Sequence, residues 1–262
     1  MKKPKIEITQ SPQKKKMYVP ESGHAKNLAN FEAIIANVQV LGVTYNPTRT
    51  AIKLTSIQAL ATSARAAITA VHTAAPVLSN AIASRELSFE LMRKMVSRIN
   101  SFLRSTDSSD LVDKSARTLI RKIQGVRASR KLSDEEVENL AANGIVIKQV
   151  SASQMSFDNR LDNFEKLIKL LTSIPNYLPN EADLKITALN TLYVDLKAKN
   201  NAVLNASVAL KMARLQRNEV MYKPNVGLVD ISVDTKLYIK SIYGVKSPVY
   251  KQFSSLQIKL IA

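Results

Sequence analysis

Apolar positions along the chain recur at three- and four-residue spacing, the period of a helix face and not of a strand. Phe164, Leu167, Ile168, Leu171 and Ile174 fall on one such face and predict a short helix over about 157–174, with a counterpart over about 28–42. Each is followed by a turn with Tyr and Pro two residues apart, TYNPT and NYLPN. Long helices are predicted over about 48–85 and 181–222. The second contains neither Pro nor Gly, whereas Pro76 is expected to kink or interrupt the first. A third helix is predicted over about 86–104 and again over 228–243, closed by a cap region with the wording GVKSPVYKQF. Ala59, Ala66, Ala70, Ala74 and Ala81 form a small-residue seam, expected to be a line of close helix approach.

The pattern occurs twice. NFEAIIANVQVL (30–41) lies over NFEKLIKLLTSI (163–174), and after a one-residue shift an offset of 132 holds for about forty positions. It matches Tyr45 with Tyr177, Pro47 with Pro179, Leu60 with Leu192, Val71 with Val203 and Arg85 with Arg217. Beyond these, 91–114 aligns more weakly with 228–251 at an offset of 137, which also sets Leu119, Lys122 and Ile123 over Leu256, Lys259 and Leu260. A fixed-period match of this kind reads as internal duplication. The fold expected is all-α: an elongated helical bundle built from two tandem copies of a three-helix unit (short, long and medium). The expected division is a disordered basic tail over 1–26, one repeat over 27–125, a linker over 126–159 and a second repeat over 160–262, both repeats packing as one domain. Within the linker, Ser133 and Glu136 have the spacing of a capping box and predict a short acidic helix stopped at Asn143-Gly144.

Composition changes the picture in one respect. Aromatics are only 5% of 262 residues and there are 6 glycines, which agrees with helix, but the formal net charge is +17. A surplus of that size attracts nucleic acid, anionic lipid or acidic proteins and carries no sequence specificity by itself. Cysteine is absent, which excludes disulfides, thiolate metal sites and cysteine nucleophiles. The N-terminal stretch lacks the apolar core of a secretion signal and no run of eighteen apolar residues occurs, so neither a leader nor a transmembrane segment is expected and the expected location is cytoplasmic.

The search for chemistry yields little. The two histidines, His24 and His72, lack metal-ligand spacing or a triad partner, and no glycine-rich phosphate loop occurs. Glu86 with Glu90 and Asp230 with Asp234 are carboxylate pairs one turn apart, a spacing that helix-surface charge explains more simply than catalysis. Arg85 and Arg217 are expected near helix C-termini, complementing the dipole beside a glutamate. No catalytic residue, metal site or cofactor is expected, and the protein is read as non-enzymatic.

What remains is basic surface. In SARTLIRKIQGVRASRK (115–131), Arg117 and Arg121 share a helix face with the preceding Lys114, opposite Ala116, Leu119, Ile120 and Ile123. Arg117, Arg121, Lys122, Arg127, Arg130 and Lys131 are therefore the candidate polyanion contacts. The partner expected is a polyanion such as DNA or RNA, gripped by its phosphates. Two alternatives stand beside it: a structural or assembly scaffold that forms a homo-oligomer or docks an acidic protein partner, and a membrane-active helical protein.

The wording YIKSIYGVKSPVYKQF, with the Phe-Glu and Tyr-x-Pro motifs, resembles a family of basic helical-bundle proteins from Bacteroidota. The resemblance implies a helical fold and brings no activity or site residue with it.

Overall fold

In a computed structural model, which describes residues 22–126, 133–143 and 155–261, the protein is an all-α helical bundle. The described residues form eight α-helices and no strand: α1 (Ser22–Leu41), α2 (Leu54–Leu103), α3 (Asp110–Gln124), α4 (Asp134–Ala142), α5 (Phe157–Thr172), α6 (Ile186–Tyr222), α7 (Leu228–Tyr243) and α8 (Pro248–Ser255). The chain divides into two compact units whose boundaries fall inside the long helices, at His72/Thr73 in α2 and at Lys211/Met212 in α6. Each unit thus takes the start of one long helix and the end of the other.

Unit 1 holds α1, the first part of α2, the last part of α6, α7 and α8. Its core gathers Phe31, Ile34 and Val38 from α1 around Ile57 and Ala64 of α2, Met221 of α6, Ile231 and Ile239 of α7 and Phe253 of α8. Unit 2 holds the rest of α2, α3, α4, α5 and the first part of α6. There Phe164, Leu167 and Leu171 of α5 meet Phe89, Met92, Val96 and Ile99 of α2, Ile120 and Ile123 of α3, and Leu189 and Leu196 of α6. Along α2 the buried positions step by threes and fours in both units (57, 61, 64, 68, 71 and then 89, 92, 96, 99, 103), so one face of the helix is core in each. Each fully buried phenylalanine contributes roughly 1.5–3 kcal/mol from area removed from water.

The two turns with Tyr and Pro have the same build. The Tyr45 hydroxyl donates to the Ile52 carbonyl (2.5 Å), and the Tyr177 hydroxyl donates to the Leu184 carbonyl (2.8 Å). Both rings are buried, and both acceptors end a short 3₁₀ turn, Thr50–Ile52 or Ala182–Leu184. The ring of Tyr45 stands edge-on to Tyr238 at 5.3 Å and that of Tyr177 edge-on to Phe102 at 5.3 Å. Burial raises both hydroxyls' pKa to about 12.

Several expectations need correction. Helix α1 begins at Ser22, so 22–26 belong to the fold, and His24 is buried there with its Nδ1 2.6 Å from the Tyr222 hydroxyl. Pro76 does not interrupt α2, and the helix expected over 86–104 is its continuation to Leu103. Pro76 and His72 are both exposed, so the carbonyl that proline leaves unbonded lies on the solvated side. The Ala seam is not the packing line: Ala59, Ala66 and Ala70 are exposed, and the face one position round (Ala61, Ala64, Ala67, Ile68, Val71) is buried instead. Residues 247–255 are not merely a cap, because Ser247 caps a helix with Pro248 in its first turn. The linker helix forms as expected, with the reciprocal Ser133–Glu136 bonds of a capping box.

Candidate polyanion-binding surface

Helix α3 is built as an amphipathic dock. Asp110 and Asp113 lie in its first turn and Arg121 and Lys122 in its last, the charge order that suits the helix dipole. Gly125 ends it at φ 72°, and its N–H bonds to the Arg121 carbonyl. Ala116, Ile120 and Ile123 are buried against α5 and α2 in the unit 2 core. Because that face is fixed, the opposite face projects into solvent.

Arg117 and Lys122 are exposed, and so is Lys114. Arg121 is half-buried, its Nη2 donating to Thr118 Oγ1 at 3.3 Å. None of these four has a carboxylate partner among the described residues. The Gln124 amide donates to Ser97 Oγ on α2 at 2.7 Å, fixing which flanks of the two helices meet. Residues three, four and seven positions apart share a helix flank, so Arg117 and Arg121 lie on the side of Gln124, and Arg93 and Arg104 on the side of Ser97. Lys122 falls on the other flank of α3. Arg93 is partly neutralised by Glu90 at 3.1 Å, while Arg104 is exposed and without an ion pair among the described residues. The α3 flank with Arg117 and Arg121 therefore adjoins the α2 flank with Arg93 and Arg104, which gathers positive side chains on this side of unit 2. Arg127, Arg130 and Lys131 lie outside the described residues.

Beneath this surface sits a buried cation that the sequence reading passed over. Arg160 is only 7% exposed, with Nε donating to the Ile123 carbonyl (3.2 Å) and Nη2 to the Phe89 carbonyl (3.1 Å). Its guanidinium lies 5.1 Å from the Phe89 ring centroid, and burial lowers its pKa. It therefore ties the end of α3 to α2 and α5 without a carboxylate. The signal was legible: Arg160 stands four residues before Phe164, on the apolar face of α5.

Four other singled-out residues have structural partners. Arg85 is not near a helix end, since α2 continues to Leu103. It stacks 3.7 Å over the Phe157 ring and donates to Asn200 Oδ1 at 3.1 Å. Arg217 is buried and donates to Asn218 Oδ1. Asp234 takes Arg49 at 2.5 Å, and Asp230 accepts the N–H of Asn225, whose φ is 67°. Among the described residues no three His, Asp or Glu side chains converge as a metal site.

One further feature departs from the sequence expectation. Between Arg65 and Arg85 helix α2 has no charged residue, and by length and composition alone it is apolar enough to cross a membrane, its best window having mean hydropathy 1.3 with 17% buried. The class that fold and surface define is a basic all-α bundle. Compared with known protein families, characterised proteins and solved structures, the chain shows no match.

Proposed function

We propose that the protein is a non-enzymatic bundle of two tandem three-helix copies that binds a polyanion, nucleic acid above all, through phosphate contacts without base readout. The duplication is supported by the paired tyrosine turns and by burial. At an offset of 136, Met92, Val96, Ile99 and Leu103 correspond to Leu228, Ser232, Thr235 and Ile239, all buried. Phe102 and Tyr238, the ring partners of Tyr177 and Tyr45, obey the same offset. The third part of the repeat is thus better aligned at 136 than at 137.

The observation that carries the binding reading is α3: its apolar face is used up in the core, Lys114, Arg117 and Lys122 are exposed and Arg121 half-buried, and none of the four has an acid partner among the described residues. Arg127, Arg130 and Lys131 follow directly in sequence and extend the proposed contact set. The test is a mobility shift with DNA and RNA over a salt series. Affinity should fall log-linearly with salt, and Arg117→Gln with Arg121→Gln should lower the slope by about 2, at roughly 0.9 per phosphate contact for duplex DNA. Affinity that is unchanged between low and physiological salt sinks the reading.

A second reading, an assembly scaffold, is favoured by the charge-free stretch of α2 and by Leu204, Val208, Met212 and Leu215, exposed along one side of α6. Light scattering over a concentration series separates it from a monomeric binder. Flotation with anionic vesicles tests whether lipid, and not protein, covers α2.

A further inference from the structure

The last described segment of unit 1 is held in an unusual way. After α8 the chain leaves the helix at Leu256, and residues 257–261 make no backbone–backbone hydrogen bond among the described residues. Side-chain amides of α1 hold the backbone instead. Asn27, only 4% exposed, donates from Nδ2 to the Lys259 carbonyl (2.6 Å) and accepts the Lys259 N–H on Oδ1 (3.1 Å). One turn along, Asn30 Nδ2 donates to the Gln257 carbonyl at 2.6 Å. A carboxamide has one donor edge and one acceptor edge, so Asn27 reads a peptide unit as a neighbouring strand would. The carbonyls of residues 257 and 259 lie on the same side because side chains and carbonyls alternate along an extended chain.

The side chains complete the seat. Leu256 and Ile258 pack on the unit 1 core while Gln257 and Lys259 point outward. Ile261 closes over Gly23, where a Cβ would come within 2.7 Å of Ile261 Cδ1. The half-buried Lys236 ammonium, its pKa lowered by burial, donates to the Leu256 carbonyl at 2.5 Å and marks the hinge. Recognition is therefore of backbone plus Leu256, Ile258 and Ile261, with Leu260 exposed, and the fitting ligand has the sequence Leu-Gln-Ile-Lys-Leu-Ile.

We infer that the α1 face formed by Gly23, Asn27 and Asn30 is an extended-peptide site, and that a second copy of this chain fills it by exchange of the 256–261 segment. The segment sits beyond a single hinge, and exchanging it makes no contact that the monomer lacks, which is the low-cost route to a symmetric dimer. The inference does not rest on the polyanion reading, and the two respond oppositely to salt. Two chains of like charge repel, so exchange strengthens as screening shortens to about 3 Å near 1 M salt, whereas phosphate binding weakens.

The test uses the full chain. Light scattering at about 1 M salt should show a dimer that grows with concentration and is lost in both Asn27→Ala and Asn30→Ala. In parallel, a fluorescent peptide of residues 254–261 is titrated into the chain and into Lys259→Pro, which deletes the N–H that Asn27 accepts. Freed of its internal competitor, Lys259→Pro should bind the peptide about ten-fold tighter than the unaltered chain, and adding Asn27→Ala should abolish the gain. A chain monomeric at every concentration overturns the inference, as does a dimer indifferent to Asn27→Ala and Asn30→Ala. Peptide affinity that is equal with and without Asn27 overturns it as well. A peptide that binds while the chain stays monomeric assigns the seat to another protein's strand and rejects the second-copy assignment.

Discussion

The ends of the two units differ where the rest of them agrees. In unit 2 the face of α5 carries Arg160, and what it binds is the carbonyl of Ile123 near the end of helix α3. In unit 1 the corresponding face of α1 carries Asn27, and what it binds is the carbonyl and N–H of Lys259 in extended chain. At the offsets of the proposed duplication, Asn27 corresponds to Arg160 and Lys259 to Ile123. A guanidinium has donors only, so it suits a helix end, where carbonyls lack intrahelical partners. A carboxamide donates and accepts, so it suits an extended peptide with both groups free. On that proposal, one repeat position meets a helix end in unit 2 and extended chain in unit 1.

The largest effect expected from breaking this comparison is at Arg160. Arg160→Ala takes the side-chain donor from the Ile123 carbonyl near the end of α3, removes the second bond to the Phe89 carbonyl, which stays bonded within α2, and opens a void beside Phe89; it should cost about 3 kcal/mol in urea unfolding. The loss should show first as faster amide exchange in α3, with α1 unaffected. A cost no greater than that of Asn27→Ala removes the distinction.

The tyrosines test what the units share. Tyr45→Phe and Tyr177→Phe should each cost about 1–2 kcal/mol, and by similar amounts, because each deletes one buried hydrogen bond. The pH dependence has a definite sign. Folding raises the pKa of both hydroxyls from 10.0 to about 12, so the stability they hold is complete below pH 10 and is lost as pH rises toward 12. Alkaline titration of the double Phe variant should lack that drop.

Asn27→Ala should be smaller still, about 1 kcal/mol, with its clearest readout in hydrogen exchange at the Lys259 amide. Arg117→Gln with Arg121→Gln comes last. Arg117 is exposed, and among the described residues the one side-chain hydrogen bond of Arg121 is to Thr118 of the same helix, so the unfolding midpoint should stay put while nucleic-acid affinity falls. A shifted midpoint would show that they serve the fold.

Legibility followed periodicity. The helices α5, α6 and α7 and the capped α4 could be read because an apolar face, a cap residue and a break each leave a local mark. The start of α1, in a stretch read as tail, and the continuation of α2 through Pro76 could not; at Pro76 packing on both sides of a solvated proline outweighs its local penalty. The basic face of α3 was found by spacing, while its buried partner Arg160 and the clamp residues Asn27 and Asn30 were not. A polar residue on an apolar face gives no hint of which distant carbonyl it meets. The alignment of Leu260 with Ile123 also failed: Leu260 is 69% exposed and Ile123 is buried, because one lies in extended chain and the other in a helix.

The sequence by itself determined the helical class, the repeated pattern, the Tyr-x-Pro turns and the surplus of positive charge, since each is a property of composition or of spacing along the chain. Only the tertiary structure decided that each compact unit pairs the start of one long helix with the end of the other, and that residues 256–261 lie extended on α1. Those outcomes depend on which side chain meets an unbonded peptide group far away in sequence, and no local periodicity encodes that meeting.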